Sequence, residues 1–431
     1  MAESIGMSES LNLSEIKKDL PRLLLVSEAS LDNQRTGLNR TLVNLFAGYP
    51  ADKFMVYSPK STWKDYPTSP PLDQNVATFS DKFLPQINNR LGLLLNPIFQ
   101  AIDLQLIEWL PLAEQEKIDV FAPQVIIICP VGIVGLLMGY KVAQLLQCPF
   151  MAYFMDDWAN NNHQRWLSGG LQSLCRNVLE KASAWLMISS QLEKELINRY
   201  QLVPKRSLIV HNPVDLSNKQ LPEFSYDSKE PFRVIYAGSI WSMHYDAVAV
   251  VAEAIYELKC SGVNIELVLH TAQGFWNLYR ESWESWGVKY GSFIPYDQLN
   301  QCLQKANLLL VASSFLPEHA HITRSSVQTK LTDYMASGRP ILSCGPSYAA
   351  CNLFVKNWNC GIVDESNQVA AIKKILLKQI EDPSKSYTII QNAFKVVLEN
   401  FETSKVRSRL YDFIKQITIV ESQLQVRDEE R

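Results

Sequence analysis

Residues 125–146 (VIIICPVGIVGLLMGYKVAQLL) decide the class of fold, because they fit two kinds of structure. Their length approaches the roughly 20 apolar residues of a membrane-spanning helix. The apolar run nevertheless breaks at Pro130, and the helical stretch that follows carries Lys141 and Gln144. A buried parallel strand followed by its crossover helix explains this arrangement better than a membrane span does. The stretch therefore predicts an α/β protein without a transmembrane segment.

The same alternation of short β-branched runs and amphipathic stretches continues on both sides of this segment. In the first half of the chain, strands are expected at residues 22–27, 54–58, 125–129, 150–155, 184–189 and 207–210, with helices at 38–46, 133–147, 171–182 and 191–200. In the second half, strands are expected at 233–237, 265–270, 308–312 and 340–344. Strands that alternate with helices predict parallel sheets covered by helices on both faces.

A change of composition divides the chain. Residues 218–231 (NKQLPEFSYDSKEP) are polar, contain two prolines and show no periodicity, which is typical of a linker. A chain of 431 residues also suits two domains of about 200 residues better than one. We therefore expect a mobile tail at 1–20, a Rossmann-like domain at 21–217, the linker at 218–231, a second Rossmann-like domain at 232–400, and a C-terminal helix within 401–431 that packs back on the first domain.

Two doubly wound domains in tandem would face each other across a central cleft. In open α/β sheets, ligands bind outside the carboxyl ends of the strands, so such a cleft has room for two substrates.

The charge balance argues against a nucleic-acid partner. The chain has 41 basic and 44 acidic residues, so no basic excess can neutralise a phosphate backbone. Its eight cysteines form no C-x-x-C pair and predict buried, reduced thiols, and the six histidines do not supply a zinc site. The first twenty residues lack the apolar core of a signal peptide, which predicts a cytoplasmic protein.

The strongest local signal is residues 325–342 (SSVQTKLTDYMASGRPIL), where polar residues, among them Ser326 and Thr329, precede a predicted helix. The free N–H groups and positive dipole at a helix N-terminus suit a phosphate. Lys330 adds a cation where it opposes the dipole, so a purely structural role is less natural there. Asp333 lies three residues on, and a carboxylate is well suited to binding two ribose hydroxyls. An amphipathic helix with solvated side chains explains the same spacing, so both interpretations stay open.

Two glycines follow predicted strands. Gly238 ends the first strand of the second domain, just before Ser239, and could let the backbone approach a diphosphate closely. Gly37, within Arg35–Arg40 (RTGLNR), lies where a turn leads into a helix on the side of the second substrate. A tight turn explains either glycine equally well. Because Gly37 is not part of a G-x-G-x-x-G motif, a nicotinamide-dependent dehydrogenase is disfavoured.

Asp156, Asp157 and Trp158 follow the strand expected at 150–155. Carboxylates at this edge could orient the hydroxyl of an acceptor or take its proton. They could also bind Mg²⁺, although no third oxygen ligand is evident nearby, or one of them could cap a helix. Trp158 and Trp166 could stack on a sugar ring, but packing in the core is the alternative that we favour for each.

Taken together, these segments resemble glycosyltransferase family 4, whose members have the GT-B fold of two Rossmann-like domains. The resemblance covers most of residues 180–380, namely residues 182–190, 209–215, 236–238, 333–340 and 359–363, in the family's order and spacing. It implies transfer of a sugar from a nucleotide diphosphate sugar, with retention of configuration and without a metal or other cofactor. The expected acceptor is a glycan, a polysaccharide or a lipid-linked sugar.

Carried over position by position, the resemblance places Asp333 on the donor ribose, Thr329 and Lys330 near the diphosphate, and Gly238 under it. Asp157 resembles an aspartate that lines the acceptor side in the family. We therefore expect Lys330 and Asp157 to act in catalysis.

Several positions depart from the family pattern. Ser239 and His244 stand where the family usually has arginine and lysine, and Ser325 and Asp333 stand where it has paired glutamates. Lys330, His244 and Arg324 would then have to bind the diphosphate, or activity is poor. Two alternatives therefore remain. One is a donor-binding protein that is inert or needs a partner, and the other is a nucleotide-sugar epimerase or phosphorylase-like protein of the same fold.

Residues 91–112 (LGLLLNPIFQAIDLQLIEWLPL) are rich in leucine and aromatic residues. They could form a surface that touches the inner face of a membrane or a lipid-linked acceptor. They lack the basic face that anionic lipids attract, which favours ordinary packing in the core.

Overall fold

The computed structural model describes residues 19–29, 31, 37–63, 75–84, 87, 92–160, 168–216, 220–224, 226–227 and 229–429. The expected tail at 1–20 lies almost entirely outside the described residues, as do Arg35, Trp166 and part of the expected linker.

The first half of the chain forms a parallel sheet of seven strands. In chain order these are β1 (Leu23–Val26), β2 (Phe54–Pro59), β3 (Asn75–Phe79), β4 (Val125–Ile128), β5 (Phe150–Phe154), β6 (Ala184–Met187) and β7 (Ser207–Ile209). Their order in the sheet is β3-β2-β1-β4-β5-β6-β7. The central strands are apolar throughout and fully buried, since helices cover both faces of the sheet.

Six described helices belong to this half. They are α1 (Gly37–Phe46), α2 (Gly92–Trp109), α3 (Gln115–Phe121), α4 (Ile133–Leu145), α5 (Ser168–Lys181) and α6 (Ser190–Tyr200). Residues 125–146 thus form a strand and its crossover helix, as predicted. No helix in the described part of the chain is long and apolar enough to cross a membrane.

The second half forms a parallel sheet of six strands: β8 (Phe232–Ala237), β9 (Ile265–His270), β10 (Lys289–Tyr290), β11 (Leu308–Ala312), β12 (Ile341–Cys344) and β13 (Ile362–Asp364). Their order is β10-β9-β8-β11-β12-β13. The connecting and flanking helices are α7 (Ser242–Cys260), α8 (Gln273–Leu278), α9 (Arg280–Ser285), α10 (Tyr296–Leu303), α11 (Ala320–Ser325), α12 (Lys330–Ala336), α13 (Ala350–Trp358), α14 (Val369–Glu381), α15 (Tyr387–Asn400) and α16 (Thr403–Glu429).

Both sheets have the Rossmann strand order, in which the chain runs outward over three strands and then returns to the other side of the first. The direction reverses between β1 and β4 in one sheet and between β8 and β11 in the other. Loops at such a reversal separate at the carboxyl edge of the sheet, where ligands bind. The predicted α/β architecture of two doubly wound domains is therefore confirmed.

Helix α16 follows the second sheet in the chain but packs on the first domain. Val406, Leu410, Tyr411, Ile414 and Ile417 belong to the same buried cluster as the strands of the first sheet. The Tyr411 hydroxyl donates a hydrogen bond to the carbonyl of Leu45 in α1 at 2.9 Å. The last helix thus completes the core of the first domain.

Helix α2 is only partly buried. Leu104 and Ile107 pack into the first core, whereas Ile98, Ile102 and Trp109 are 55%, 42% and 78% exposed. Because the spacing of these three residues places them on one face of the helix, they form an apolar surface stripe. The expectation that residues 91–112 pack in the core therefore holds for one face of the helix alone.

Candidate functional site

The two domains meet where α1 and α12 begin. A Cβ atom on Gly37 would lie 2.2 Å from the hydroxyl oxygen of Thr329, so a larger residue at 37 would force the two helix starts apart. Asn212 lies at the same junction. Its side chain accepts a hydrogen bond from the Thr41 hydroxyl at 2.7 Å and donates to the Thr329 carbonyl at 2.9 Å. These contacts bring the predicted residues Gly37 and Thr329 together across the cleft.

Gly238 and Lys330 are also brought together. Gly238 has φ of +137°, a conformation that side chains disfavour, and a Cβ atom there would lie 2.8 Å from the Lys330 ammonium nitrogen. That nitrogen lies 3.6 Å from the centre of the Tyr236 ring. The glycine therefore meets two requirements at once, the backbone conformation and the space for the lysine.

The Lys330 ammonium is buried and has no hydrogen-bond partner among the described residues. Burial lowers the pKa of Lys330 to about 7, because the charged form loses its hydration. The face of Tyr236 compensates part of that loss through a cation–π contact. The site thus holds a cation that an anionic ligand would stabilise.

Asp333 is paired with an arginine of the first domain. The Arg40 guanidinium lies 2.5 Å from the Asp333 carboxylate, and both side chains are nearly buried. The same guanidinium stacks 4.3 Å above the Tyr296 ring, and its buried Nε atom has no hydrogen-bond partner in the described part of the chain. Arg40 is the last residue of the segment Arg35–Arg40, and no pattern in the sequence distinguishes it as a site residue.

We expected His244 to help bind the diphosphate, because the arginine and lysine of the family pattern are missing here. In the structure His244 does not supply this second cation. Its ring is buried, and Nδ1 accepts a hydrogen bond from the Trp241 backbone N–H at 3.3 Å. Burial, together with the charge of Lys330, lowers the pKa of His244 to about 3. The imidazole is therefore neutral at neutral pH and caps the start of α7.

The remaining predicted positions of the donor side serve the local structure. The Ser239 carbonyl accepts a hydrogen bond from the Tyr236 hydroxyl at 2.8 Å, and the Ser326 N–H donates to the Ile322 carbonyl at 2.8 Å. Arg324 is exposed and stacks on Tyr348 at 4.7 Å.

Ser325, at the first glutamate position of the family pattern, is buried. Its hydroxyl donates to the His321 carbonyl of its own helix at 2.9 Å, and its carbonyl accepts from the Ser189 hydroxyl of the first domain at 2.6 Å. Its side chain therefore serves α11 and its backbone joins the two domains.

Asp157, which we expected to act in catalysis on the acceptor side, is paired with an arginine of its own domain. Both of its oxygens accept hydrogen bonds from the Arg199 guanidinium, at 2.6 and 2.5 Å, and the residue is 2% exposed. A carboxylate held in such a bidentate pair orients an arginine and is poorly placed to take a proton.

Asp156 has the more reactive environment of the two aspartates. One of its oxygens accepts a hydrogen bond from the Trp158 N–H at 3.1 Å, which is the capping role considered as an alternative. Burial raises the pKa of Asp156 to about 6, and the neighbouring Asp157 adds to the rise. Trp158 itself is 4% exposed and stacks on Phe154, so it packs in the core and presents no platform for a sugar ring.

No group of three or more metal-ligating side chains occurs among the residues that the structure describes.

No family model matches this chain, and no curated protein matches it in sequence. Solved structures do match. HepE of Anabaena in complex with UDP is 14% identical with a TM-score of 0.64, over 92% of this chain and 100% of that one. Sucrose-phosphate synthase of Thermosynechococcus elongatus is 14% identical with a TM-score of 0.66, over 92% and 99%. WaaG, a glycosyltransferase involved in lipopolysaccharide biosynthesis, is 12% identical with a TM-score of 0.57, over 91% and 99%.

Each of these matches extends over nearly the whole of both chains, so the likeness includes both domains and their order. At this level of identity the likeness is one of fold. The chain therefore has the GT-B fold that its sequence predicted.

Proposed function

We propose that this protein is a retaining, metal-independent glycosyltransferase of family 4 that transfers a sugar from a nucleotide diphosphate sugar. The observation that carries the proposal is the buried Lys330 ammonium, which lies against Gly238 at the carboxyl edge of the second sheet without a hydrogen-bond partner among the described residues. A buried cation of this kind is costly unless a ligand compensates it. A diphosphate is the ligand that the fold and the neighbouring glycine suit best.

In this proposal Lys330 stabilises the negative charge that develops on the leaving diphosphate. A fixed cation in a site without water stabilises such charge more strongly than a solvated one does. Gly238 leaves room for the phosphates, and Asp333 binds the ribose hydroxyls. The UDP and UDP-glucose complexes of HepE support a uridine donor as the first one to test.

On the acceptor side we propose that Asp156, and not Asp157, orients the acceptor hydroxyl. Asp157 is already bound to Arg199, whereas the raised pKa of Asp156 suits a group that exchanges a proton near neutral pH. The Asp156→Asn variant should lower turnover and leave UDP binding unchanged. Equal turnover in wild type and variant would show that Asp156 does not orient the acceptor hydroxyl.

The exposed stripe of Ile98, Ile102 and Trp109 on α2 supports a lipid-linked acceptor and contact with the inner face of a membrane. Sedimentation with phosphatidylcholine vesicles tests this part separately, because replacing all three residues with serine should abolish any vesicle binding.

A second candidate is a donor-binding protein without transferase activity. The neutral His244 favours it, since one of the expected cations of the diphosphate site is missing. Hydrolysis of UDP-glucose in the absence of an acceptor separates the two candidates, because an inert protein would bind the donor and leave it intact.

The first experiment is thermal denaturation with UDP, GDP, ADP, CMP and NAD, each with wild type and Lys330→Ala. A ligand at about 100 times its dissociation constant stabilises the folded state by about 2.7 kcal/mol. We expect one nucleoside diphosphate to raise the melting temperature of the wild type and not of the variant. A shift with NAD alone would overturn the proposed function.

A further inference from the structure

Arg40 belongs to the first domain, but its guanidinium lies in the donor half of the cleft. It extends from α1, contacts Asp333 in α12 and covers the ring of Tyr296 at the start of α10. Gly37 contacts Thr329 one helical turn earlier in α1. Arg40 therefore lies beside the first turn of α12, which also carries Lys330.

The surroundings of Arg40 leave part of its hydrogen-bonding capacity unused. A guanidinium has five N–H groups in a planar fork, and the buried Nε of Arg40 has no hydrogen-bond partner among the described residues. Buried polar groups in native proteins are almost always hydrogen-bonded, and a guanidinium matches the geometry of phosphate oxygens. The Lys330 ammonium, in the same turn of α12, lacks a partner as well.

The two unpaired donors come from opposite domains. Lys330 belongs to the second domain and Arg40 to the first. Arg40 contacts Asp333, the residue that we place on the ribose, and Lys330 lies three residues before Asp333 in α12. The positions where family 4 usually has its two cations are held here by Ser239, which is uncharged, and His244, which is neutral. A single cation would have to stabilise a diphosphate unless another element supplies the second.

We propose that Arg40 binds the donor diphosphate and supplies, from the opposite domain, the second cation of the site. This inference rests on the proposed function and deepens it. In the structure Arg40 is paired with Asp333. On donor binding its guanidinium N–H groups bind phosphate oxygens while the ribose hydroxyls bind Asp333. The donor site is therefore complete only when the two domains are together.

The test compares UDP with uridine in isothermal titration calorimetry, using wild type, Arg40→Met, Arg40→Lys and Arg233→Met. Methionine keeps the length of the side chain and removes its charge. Arg233→Met is the matched control. Arg233 also pairs with a carboxylate, Glu266 at 2.6 Å, but lies at the amino end of β8, whereas Gly238 follows the carboxyl end of that strand. A melting curve for each variant shows whether it is folded.

We expect Arg40→Met to weaken UDP binding about 10- to 100-fold, as for loss of a charge-assisted hydrogen bond, and to change uridine binding less than about twofold. Arg40→Lys should restore part of the UDP affinity, and Arg233→Met should bind both ligands like the wild type.

Three results would overturn the inference. Equal weakening of UDP and uridine would mean that Arg40 only positions Asp333, and an unchanged or tighter affinity of Arg40→Met for UDP would mean that it does not contact the phosphates. A wild type that binds no nucleoside diphosphate would overturn the proposed function together with this inference, whereas a wild type that binds UDP with an unaffected Arg40→Met would overturn the inference alone.

Discussion

The two sheet edges that face the cleft differ in whether their charged side chains have hydrogen-bond partners. In the first domain Asp157 accepts hydrogen bonds from both terminal nitrogens of Arg199, and Glu28 accepts hydrogen bonds from the backbone of Val131, Gly132 and Gly135. In the second domain the Lys330 ammonium is left without a hydrogen-bond partner among the described residues. Satisfied charges hold loops in place, whereas an unsatisfied buried charge is tolerated where a ligand will meet it. The comparison separates structural from functional ionisable groups.

The largest expected effect on stability comes from the edge of the first sheet, where the charged side chains are paired. Asp157→Asn should lower the free energy of unfolding by about 3 kcal/mol, because removing one partner leaves the mostly buried Arg199 without its counterion. Urea denaturation measures the change. The exposed pair of Arg280 and Glu284 is the control, and Glu284→Gln should cost less than about 1 kcal/mol. An Asp157→Asn protein as stable as the wild type would contradict the difference that we infer between the two edges.

At the edge of the second sheet, removal of the charged residue Lys330 should raise the free energy of unfolding instead of lowering it. Lys330→Met should stabilise the ligand-free protein by about 1–2 kcal/mol, because it removes a buried ammonium whose lost hydration the Tyr236 ring compensates only in part. The folded-state pKa of about 7 lies below the ordinary value of 10.5, so the unfolded chain binds more protons and wild-type stability should rise between pH 7 and pH 10. Melting curves across this range should show the rise in wild type and its absence in the variant. Destabilisation by Lys330→Met would contradict the comparison.

The same lysine should make UDP binding depend on pH. A diphosphate favours the charged ammonium, so binding should be accompanied by proton uptake and should weaken by up to about tenfold per pH unit above pH 7. Calorimetry in buffers of different ionisation enthalpy measures the protons taken up. Equal heats in all buffers at pH 8 would show that Lys330 does not take up a proton when UDP binds, which would contradict this prediction.

The smallest expected effect concerns His244, which lies on the same edge but is satisfied by the Trp241 N–H. His244→Gln keeps an acceptor for that N–H and should change UDP affinity by less than about threefold, since no charge is lost. A tenfold loss in the same calorimetric titration would show that the imidazole is charged when the donor is bound.

Sequence reasoning predicted the fold because the buried strands of both sheets are continuous apolar runs. It did not predict β3, β10 or β13, which all lie at the edge of a sheet. The residues of β3 alternate between exposed and buried, and β10 and β13 have only two and three residues. The apolar pattern of β3 is short and lies beside a stretch of sequence rich in proline and serine, so the apolar signal is weak.

The site was only partly predictable for a different reason. Gly238 and Lys330 were singled out because each lies at a recognisable place in a strand–turn–helix pattern. The partner of Asp333 is 293 positions away in the chain, and that of Asp157 is 42 positions away. Such pairs depend on how domains and helices are arranged, which local spacing does not encode. The sequence therefore identified charged residues but not which of them were already neutralised.

The placement of α16 has a consequence for the order of events during synthesis. Domains generally fold as units, with the N-terminal one first as the chain leaves the ribosome. Here the core of the first domain includes Tyr411, Ile414 and Ile417, which are made after the entire second sheet. One side of the core of the nascent first domain must therefore stay uncovered until residues 403–417 of α16 have been made. Chains released from the ribosome that stop before residue 403 should be more sensitive to protease in the first domain than released chains that extend through residue 429.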